Sequence, residues 1–295
     1  MPSLKRLAAS HKYDFLTLSG DQAYDLSDFN GTKGDEYMRF AESVFANIPF
    51  VGGVGNHEMR NWLISIVGYR IRFNNVPFQD SGFNNNMQYS FNYKSLHIVS
   101  WNSESDFEGS EGELVTSLNW LETDLQEANK NRKTQPWIIV LGHRPLYCSS
   151  FAAPNDTSCT KDTKKLRDGN KDKITGKRIN GVEAILDKYK VDMYLCGHRH
   201  NFERTYPVKK GQVTSSTYIN APSPFQYLVG NGGSYEKITS FNTTGPFPAW
   251  SAARYSGYGY STIQVTTHHL ELTHWGVSNN GTGHRVIDHV VVTKD

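Results

Sequence analysis

Seven side chains able to bind metal or move protons stand in four short motifs. Asp21 and Tyr24 lie in Gly20-Asp21-Gln22-Ala23-Tyr24, Asn56 and His57 in Gly55-Asn56-His57-Glu58, His143 in Gly142-His143-Arg144, and His198 and His200 in Gly197-His198-Arg199-His200. Setting His57 aside, a carboxylate, a phenol, an amide and three imidazoles make a mixed oxygen and nitrogen donor set. Such a set suits two adjacent ions of iron, zinc or manganese type, and a pair of that kind clamps the attacking and leaving oxygens of a phosphate ester. Asp21 can bridge two cations because its two oxygens diverge. Tyr24 must ionise to act as a ligand, which ferric iron makes easy. Asn56 offers a neutral carbonyl oxygen. His57 aims away from its neighbour, because adjacent side chains diverge, and so suits protonating a leaving group better than binding metal. His198 and His200, two residues apart, lie on one face of an extended segment.

Residues this far apart meet only if the fold brings them together. Each motif follows an apolar run that reads as a buried strand: Phe15 to Leu18, Phe50 to Val54, Trp137 to Leu141, and Met193 to Leu195. The carboxyl ends of neighbouring strands in an α/β sheet open onto one crevice. Helical spacing precedes these runs, in Leu4, Leu7, Ala8 and His11, in Tyr37, Phe40, Ala41, Val44 and Phe45, in Leu114, Leu118, Leu121 and Leu125, and in Val182, Ile185, Leu186 and Tyr189. This alternation predicts an α/β fold. Met87 to Tyr93 and Ser95 to Trp101 read as a two-strand excursion ending at Asn102. After residue 210, Tyr227 to Val229, Tyr260 to Val265, His269 to His274 and Val286 to Val292 read as strands separated by turn signals such as Asn231-Gly232-Gly233 and Asn279-Asn280-Gly281. Residues 1–295 are read as one domain, with 211–295 as its strand-rich C-terminal segment. The charged run 162–177 reads as a solvated loop.

Composition bounds the function classes. A net charge of +2, from 31 basic and 29 acidic residues, gives no support for a nucleic-acid surface. No apolar run is long enough for a transmembrane helix. Cys148 and Cys159 flank a polar loop and are expected to form a local bridge, leaving Cys196 free and buried at a strand end. Sequons at Asn30, Asn155, Asn242 and Asn280 fall in polar segments. Together with the bridge, they point to a secreted or lysosomal glycoprotein.

The ordered motifs resemble those of the purple acid phosphatases in the metallophosphoesterase superfamily: Gly-Asp-x-x-Tyr, Gly-Asn-His-Glu, a Val-x-x-His seen here as Val140-Leu141-Gly142-His143, and Gly-His-x-His. The run Gly142 to Ser149 is closer to the animal and protist branch than to the plant one. Gly197 to Arg204, Tyr258-Gly259-Tyr260 and Val286-Ile287-Asp288 match further segments, so the resemblance spans essentially the whole chain. It implies a sandwich of two mixed β-sheets flanked by helices (α/β/β/α). It also implies an acid phosphatase that hydrolyses phosphate monoesters with a hydroxide held by Fe(III) and a divalent ion (Zn, Fe or Mn). Asp21 would bridge the ions, Tyr24 and His200 would hold the ferric site, and Asn56, His143 and His198 the divalent site. His57 would donate the proton, and Arg144 and Asn56 would meet the phosphate.

Two departures qualify this expectation. The family's Gly-Asp-x-Gly motif, which supplies another ferric ligand ahead of the opening helix, has no counterpart in the sequence, nor do its N-terminal β-sandwich domain and signal peptide. The expectation is therefore an N-terminally truncated chain with an impaired ferric site. Plant relatives carry two adjacent His residues after the third motif, where this chain reads Arg144-Pro145-Leu146-Tyr147. Phosphodiester or nucleotide hydrolysis, and a catalytically impaired fragment acting through binding, are the alternative readings. The expected partners are small phosphate esters, without nucleic acid or membrane.

Overall fold

A computed structural model describes residues 2–59, 65–151, 155–171, 176, 178–241, 246–278 and 283–295. The sequons at Asn242 and Asn280 and the turn at 279–281 lie outside the described residues. Strand β1 (Leu16–Leu18) pairs in parallel with β2 (Phe50–Gly52). The excursion forms β3 (Tyr89–Tyr93) and β4 (Leu96–Ser100), and the third motif follows β5 (Trp137–Leu141). After β6 (Met193–Cys196) come β7 (Phe202–Thr205), β8 (Phe225–Val229) and β9 (Ser251–Tyr255). The chain closes with β10 (Gly259–Val265), β11 (His269–Val277) and β12 (His284–Thr293).

A seven-stranded mixed sheet runs β9-β7-β8-β6-β5-β4-β3, with β8, β6, β5 and β4 parallel. The strands β10, β11 and β12 form a separate antiparallel sheet. The layers follow from where each apolar face is buried. The helix Glu111–Lys130 opens on a capping box in which the Ser110 hydroxyl accepts from the Glu113 amide and the Glu113 carboxylate accepts from the Ser110 amide. It lays Leu114, Leu118, Leu121 and Leu125 against Val99, Ile138 and Val140, and a fully buried side chain of this kind contributes about 1.5–3 kcal/mol. A second helix, Val182–Lys188, packs on the same face through Val182, Ile185 and Leu186. On the other face, Ile98, Ile139 and Phe225 meet Leu270, Leu272 and Val292 of the three-stranded sheet. The helices Pro2–Ala9, Thr32–Phe45 and Ser65–Arg72 pack around the β1–β2 pair. The large sheet thus carries helices on one face and the three-stranded sheet on the other.

One expectation is corrected. The four motif-bearing strands do not share a sheet: β1 and β2 form their own pair, while β5 and β6 are central in the large sheet. Side chains make the join where no ladder exists. Tyr89 Oη donates to the Gly52 carbonyl at 2.8 Å, and Tyr69 Oη reaches the same oxygen at 3.3 Å. All four carboxyl ends still open onto one place, which therefore lies across two sheets.

Candidate metal centre

The loops after β1 and β2 approach so closely that neither tolerates a side chain at its glycine. A Cβ on Gly20, which sits at φ +85°, would lie 2.5 Å from the Gly55 amide nitrogen. A Cβ on Gly55 would lie 2.3 Å from Asp21 Oδ1. Asp21, Ala23, Tyr24 and Asp25 all adopt positive φ, a conformation that costs a non-glycine residue energy and persists only when its surroundings fix it. Glu58 fixes it. This fully buried carboxylate accepts from the amides of Asp21 and Gly55, both at 2.8 Å, and of Gln22 at 2.7 Å. The fourth residue of the second motif thus clamps the first motif to the second, a role that its spacing does not reveal.

The donors form two groups. In the first, Asn56 Oδ1 lies 3.0 Å from both His143 Nε2 and His198 Nδ1, and the two ring nitrogens are 3.1 Å apart. Asp21 Oδ2 is 3.2 Å from His143 Nε2, and Asp21 Oδ1 accepts from the His57 amide at 3.1 Å. His143 donates Nδ1–H to the Ser19 carbonyl at 2.6 Å, so its lone pair faces the cluster. In the second group, Tyr24 Oη and His200 Nε2 are 2.7 Å apart, and His200 Nδ1–H donates to the Lys237 carbonyl at 2.9 Å. Among the described residues, Asp21, His143 and His198 place ligand atoms within 4.8 Å of one another.

The electrostatics test whether this set fits a cation. Burial works against charging His143, but the Asp21 carboxylate, with Glu104 and the Ser19 carbonyl, outweighs it and pushes the ring up to about 9. Burial also raises Asp21, yet His143, His57 and His198 hold it well below the usual carboxylate range. Burial, Arg144 and His143 push His198 far down, so that ring is neutral, as a ligand must be. Burial, with Asp21, Glu236 and Glu58 nearby, drives the Tyr24 phenol up despite a hydrogen bond to Ser234. The cluster thus draws a proton to its centre when only protons are available, and a phenolate forms at Tyr24 only beside a strong cation. The donor set fits metal.

His57 turns away from the first group. Its Nδ1 lies 3.1 Å from Asp25 Oδ1, its Nε2 is 3.7 Å from Glu236 Oε1, and its ring stands 4.5 Å from that of Tyr24. Glu236, half exposed, also lies 4.0 Å from His200 Nε2. Arg144 is buried behind His198. Its Nε faces both oxygens of Glu104 at 3.0 and 2.9 Å, its Nη1 reaches Asp162 and His198 Nε2, each at 3.4 Å, and its guanidinium stacks on Phe107. Ser103 Oγ accepts from the amides of His143 and Arg144 at 3.0 and 3.1 Å. Asp25, Ser103, Glu104 and Glu236 stand outside the motifs, and no spacing pattern marks them. Cys148 and Cys159 are bridged and Cys196 is free and buried, as expected. Asn30 and Asn155 are exposed. Among the described residues, no helix is long and apolar enough to cross a membrane.

Residues 3–202 match the family described as calcineurin-like phosphoesterase, and residues 223–289 match one described as iron/zinc purple acid phosphatase-like protein C. Acid phosphatase type 7 of Homo sapiens is 36% identical over 272 residues, covering 90% of this chain and 58% of that protein. Its Danio rerio counterpart is 36% identical over 294 residues, covering 96% of this chain and 62% of that protein. The chain thus spans about six-tenths of the length of these relatives. Among solved structures, a purple acid phosphatase from yellow lupin (Lupinus luteus) seeds superposes with a TM-score of 0.76 at 22% identity, covering 99% of this chain and 49% of that one. The GAP50 anchor in the inner membrane complex of Plasmodium superposes with a TM-score of 0.63 at 15% identity, covering 100% of this chain and 84% of that one. These two share the fold.

Proposed function

The chain belongs to the calcineurin-like phosphoesterases, in their purple acid phosphatase branch, and from that premise we propose that it hydrolyses phosphate monoesters at acid pH on a centre of two metal ions. The observation that carries this reading is the convergence of Asp21, Asn56, His143 and His198 on one point, with Tyr24 and His200 paired beside them. The family implies a binuclear centre. We assign Fe(III) to Tyr24 and His200, a divalent ion (Zn, Fe or Mn) to Asn56, His143 and His198, and Asp21 to both. When bound, such a pair polarises a phosphoryl oxygen and makes water nucleophilic near neutral pH.

The protein's own part is orientation and proton transfer. The Ser19 carbonyl and Ser103 hydroxyl hold His143, and the Lys237 carbonyl holds His200. His57 keeps Nδ1 on Asp25 and offers Nε2 as the proton donor to a leaving alkoxide. Asn56 stands where it can serve both ion and phosphate. Arg144 is held by Glu104 and Asp162 and meets His198 on the nitrogen turned from the cluster, so we do not assign it the phosphate contact expected from the sequence. We take residues 1–295 as one catalytic unit. The bridge and the exposed sequons at Asn30 and Asn155 support a secreted or lysosomal setting. The test is iron and zinc content, together with rates on a monoester and a diester across acid and neutral pH. Two bound ions with faster monoester cleavage at acid pH support the reading. A chain that holds no ion, or that prefers the diester, overturns it.

A further inference from the structure

We infer that Ser158 is a positioning residue for the centre: its hydroxyl accepts the Nε2 proton that His198 carries when Nδ1 binds an ion. The inference rests on the reading of His198 as a ligand. His198 joins the cluster through Nδ1, and its other nitrogen, Nε2, has two neighbours: Ser158 Oγ at 3.3 Å and Arg144 Nη1 at 3.4 Å. These neighbours differ in what they can do there. A guanidinium only donates, so Arg144 favours a lone pair on Nε2 and a proton on Nδ1. That proton would point at Asn56 Oδ1, 3.0 Å away, and would close the site to a cation. A hydroxyl can also accept, so of these two neighbours Ser158 is the one able to take the Nε2 proton that the ring carries when its Nδ1 lone pair faces an ion. Arg144 does not depend on the ring, because Glu104 and Asp162 already take its protons.

The hydroxyl is held in place from several directions. The Ser158 amide donates to Asp156 Oδ1 at 3.0 Å, and Asp156 Oδ2 pairs with Arg199, the residue between the two motif histidines. Arg199 Nε donates to Ser150 Oγ at 3.0 Å, and Ser150 lies on the other arm of the same loop. The neighbouring Cys159 is bridged to Cys148, which closes the loop close to the point where the chain leaves β5. The bridge therefore ties retention of one ion to the redox state of the loop.

The experiment measures zinc affinity by chelator competition on the full chain carrying iron. It compares the wild type, Ser158→Ala, Ser158→Thr, and the wild type after reduction with a phosphine. Losing an outer hydrogen-bond partner of a ligand weakens metal binding by about 10–100-fold. Ser158→Ala should weaken zinc by that order while the iron and its colour remain, and Ser158→Thr should restore affinity. Reduction should weaken zinc in the wild type but add little in Ser158→Ala. Unchanged zinc affinity in Ser158→Ala, or equal weakening of both ions, overturns the inference. Nitrogen chemical shifts of the His198 ring in the zinc-loaded chain give a second readout. They should show the proton on Nε2 in the wild type and a changed ring in Ser158→Ala, and a ring unchanged by Ser158→Ala overturns the inference. If His198→Ala keeps wild-type zinc affinity, the ligand reading fails separately, while the ring shifts still decide what Ser158 does.

Discussion

The two halves of the centre are built differently. Asn56, His143 and His198 meet where buried strands end, and His143 is held from behind by the Ser19 carbonyl and the Ser103 hydroxyl. Tyr24 and His200 rest partly on a surface loop. The backbone anchor of His200 is the carbonyl of exposed Lys237, and the neighbours over Tyr24 include Tyr235, exposed by 67%. Preorganisation comes from atoms that have nowhere else to go. The first half has more of them, and it should hold its ion when the second half has lost its own.

Breaking what the halves share should have the largest effect. Asp21→Asn removes the carboxylate that we assign to both, and its purified form should contain neither ion in full and lose at least about 10³-fold in kcat/KM, in line with the several kcal/mol that metal charge stabilisation supplies. Retention of one full ion would show that the halves are independent of Asp21. Glu58→Gln should come next. Replacing a buried carboxylate that accepts three amides should cost about 2–4 kcal/mol, read as a fall in thermal midpoint, with both ions weakened alike. Loss of only one ion would mean that the clamp serves one loop.

His57→Ala sharpens the contrast between binding and chemistry. Both ions should stay, measured by metal analysis, while turnover of an alkyl phosphate falls by about 10²-fold. The fall should be much smaller for an activated aryl phosphate, whose leaving group needs no proton. Equal losses on both substrates would remove the proton-donor role.

A smaller effect comes from outside the centre. His274 is fully buried and stacked on Phe202, with rings 3.9 Å apart, and its burial pushes it down to about 3, only partly offset by Asp288. The unfolded chain takes up that proton near pH 6.5, so stability should fall as pH drops from about 6.5 towards 3, by roughly 1.4 kcal/mol per unit. Denaturant titrations at several acid pH values should show this slope, and His274→Phe should lack one proton's share of it. An unchanged slope in the variant would place the acid sensitivity elsewhere.

Much of this architecture is legible in the sequence because its signals are local. Trp137 to Leu141 reads as a strand and is one, residue for residue, and Leu114 to Leu125 mark the buried stripe of the helix Glu111–Lys130. The residues that converge are legible because unusual residue types follow strands directly. The contacts that orient them are not. Ser19 acts through its carbonyl, which every residue has, and Ser103 and Ser158 are ordinary serines until the fold sets them against His143 and His198. Glu58 sits inside a motif, yet two of its three amide partners lie 36 and 37 residues away. The separation of β1 and β2 from the large sheet also escaped, because an apolar run says that a strand is buried but does not name its neighbours.

The division of the centre into a tyrosinate half and a histidine–amide half is the central claim. The most direct test is metal stoichiometry and the visible spectrum of Tyr24→Phe beside His198→Ala, both loaded with iron and zinc. Tyr24→Phe should lose the colour and keep zinc in the first half, whereas His198→Ala should keep iron and colour and lose zinc. Colour that survives Tyr24→Phe, or loss of the same ion from both variants, would contradict the division.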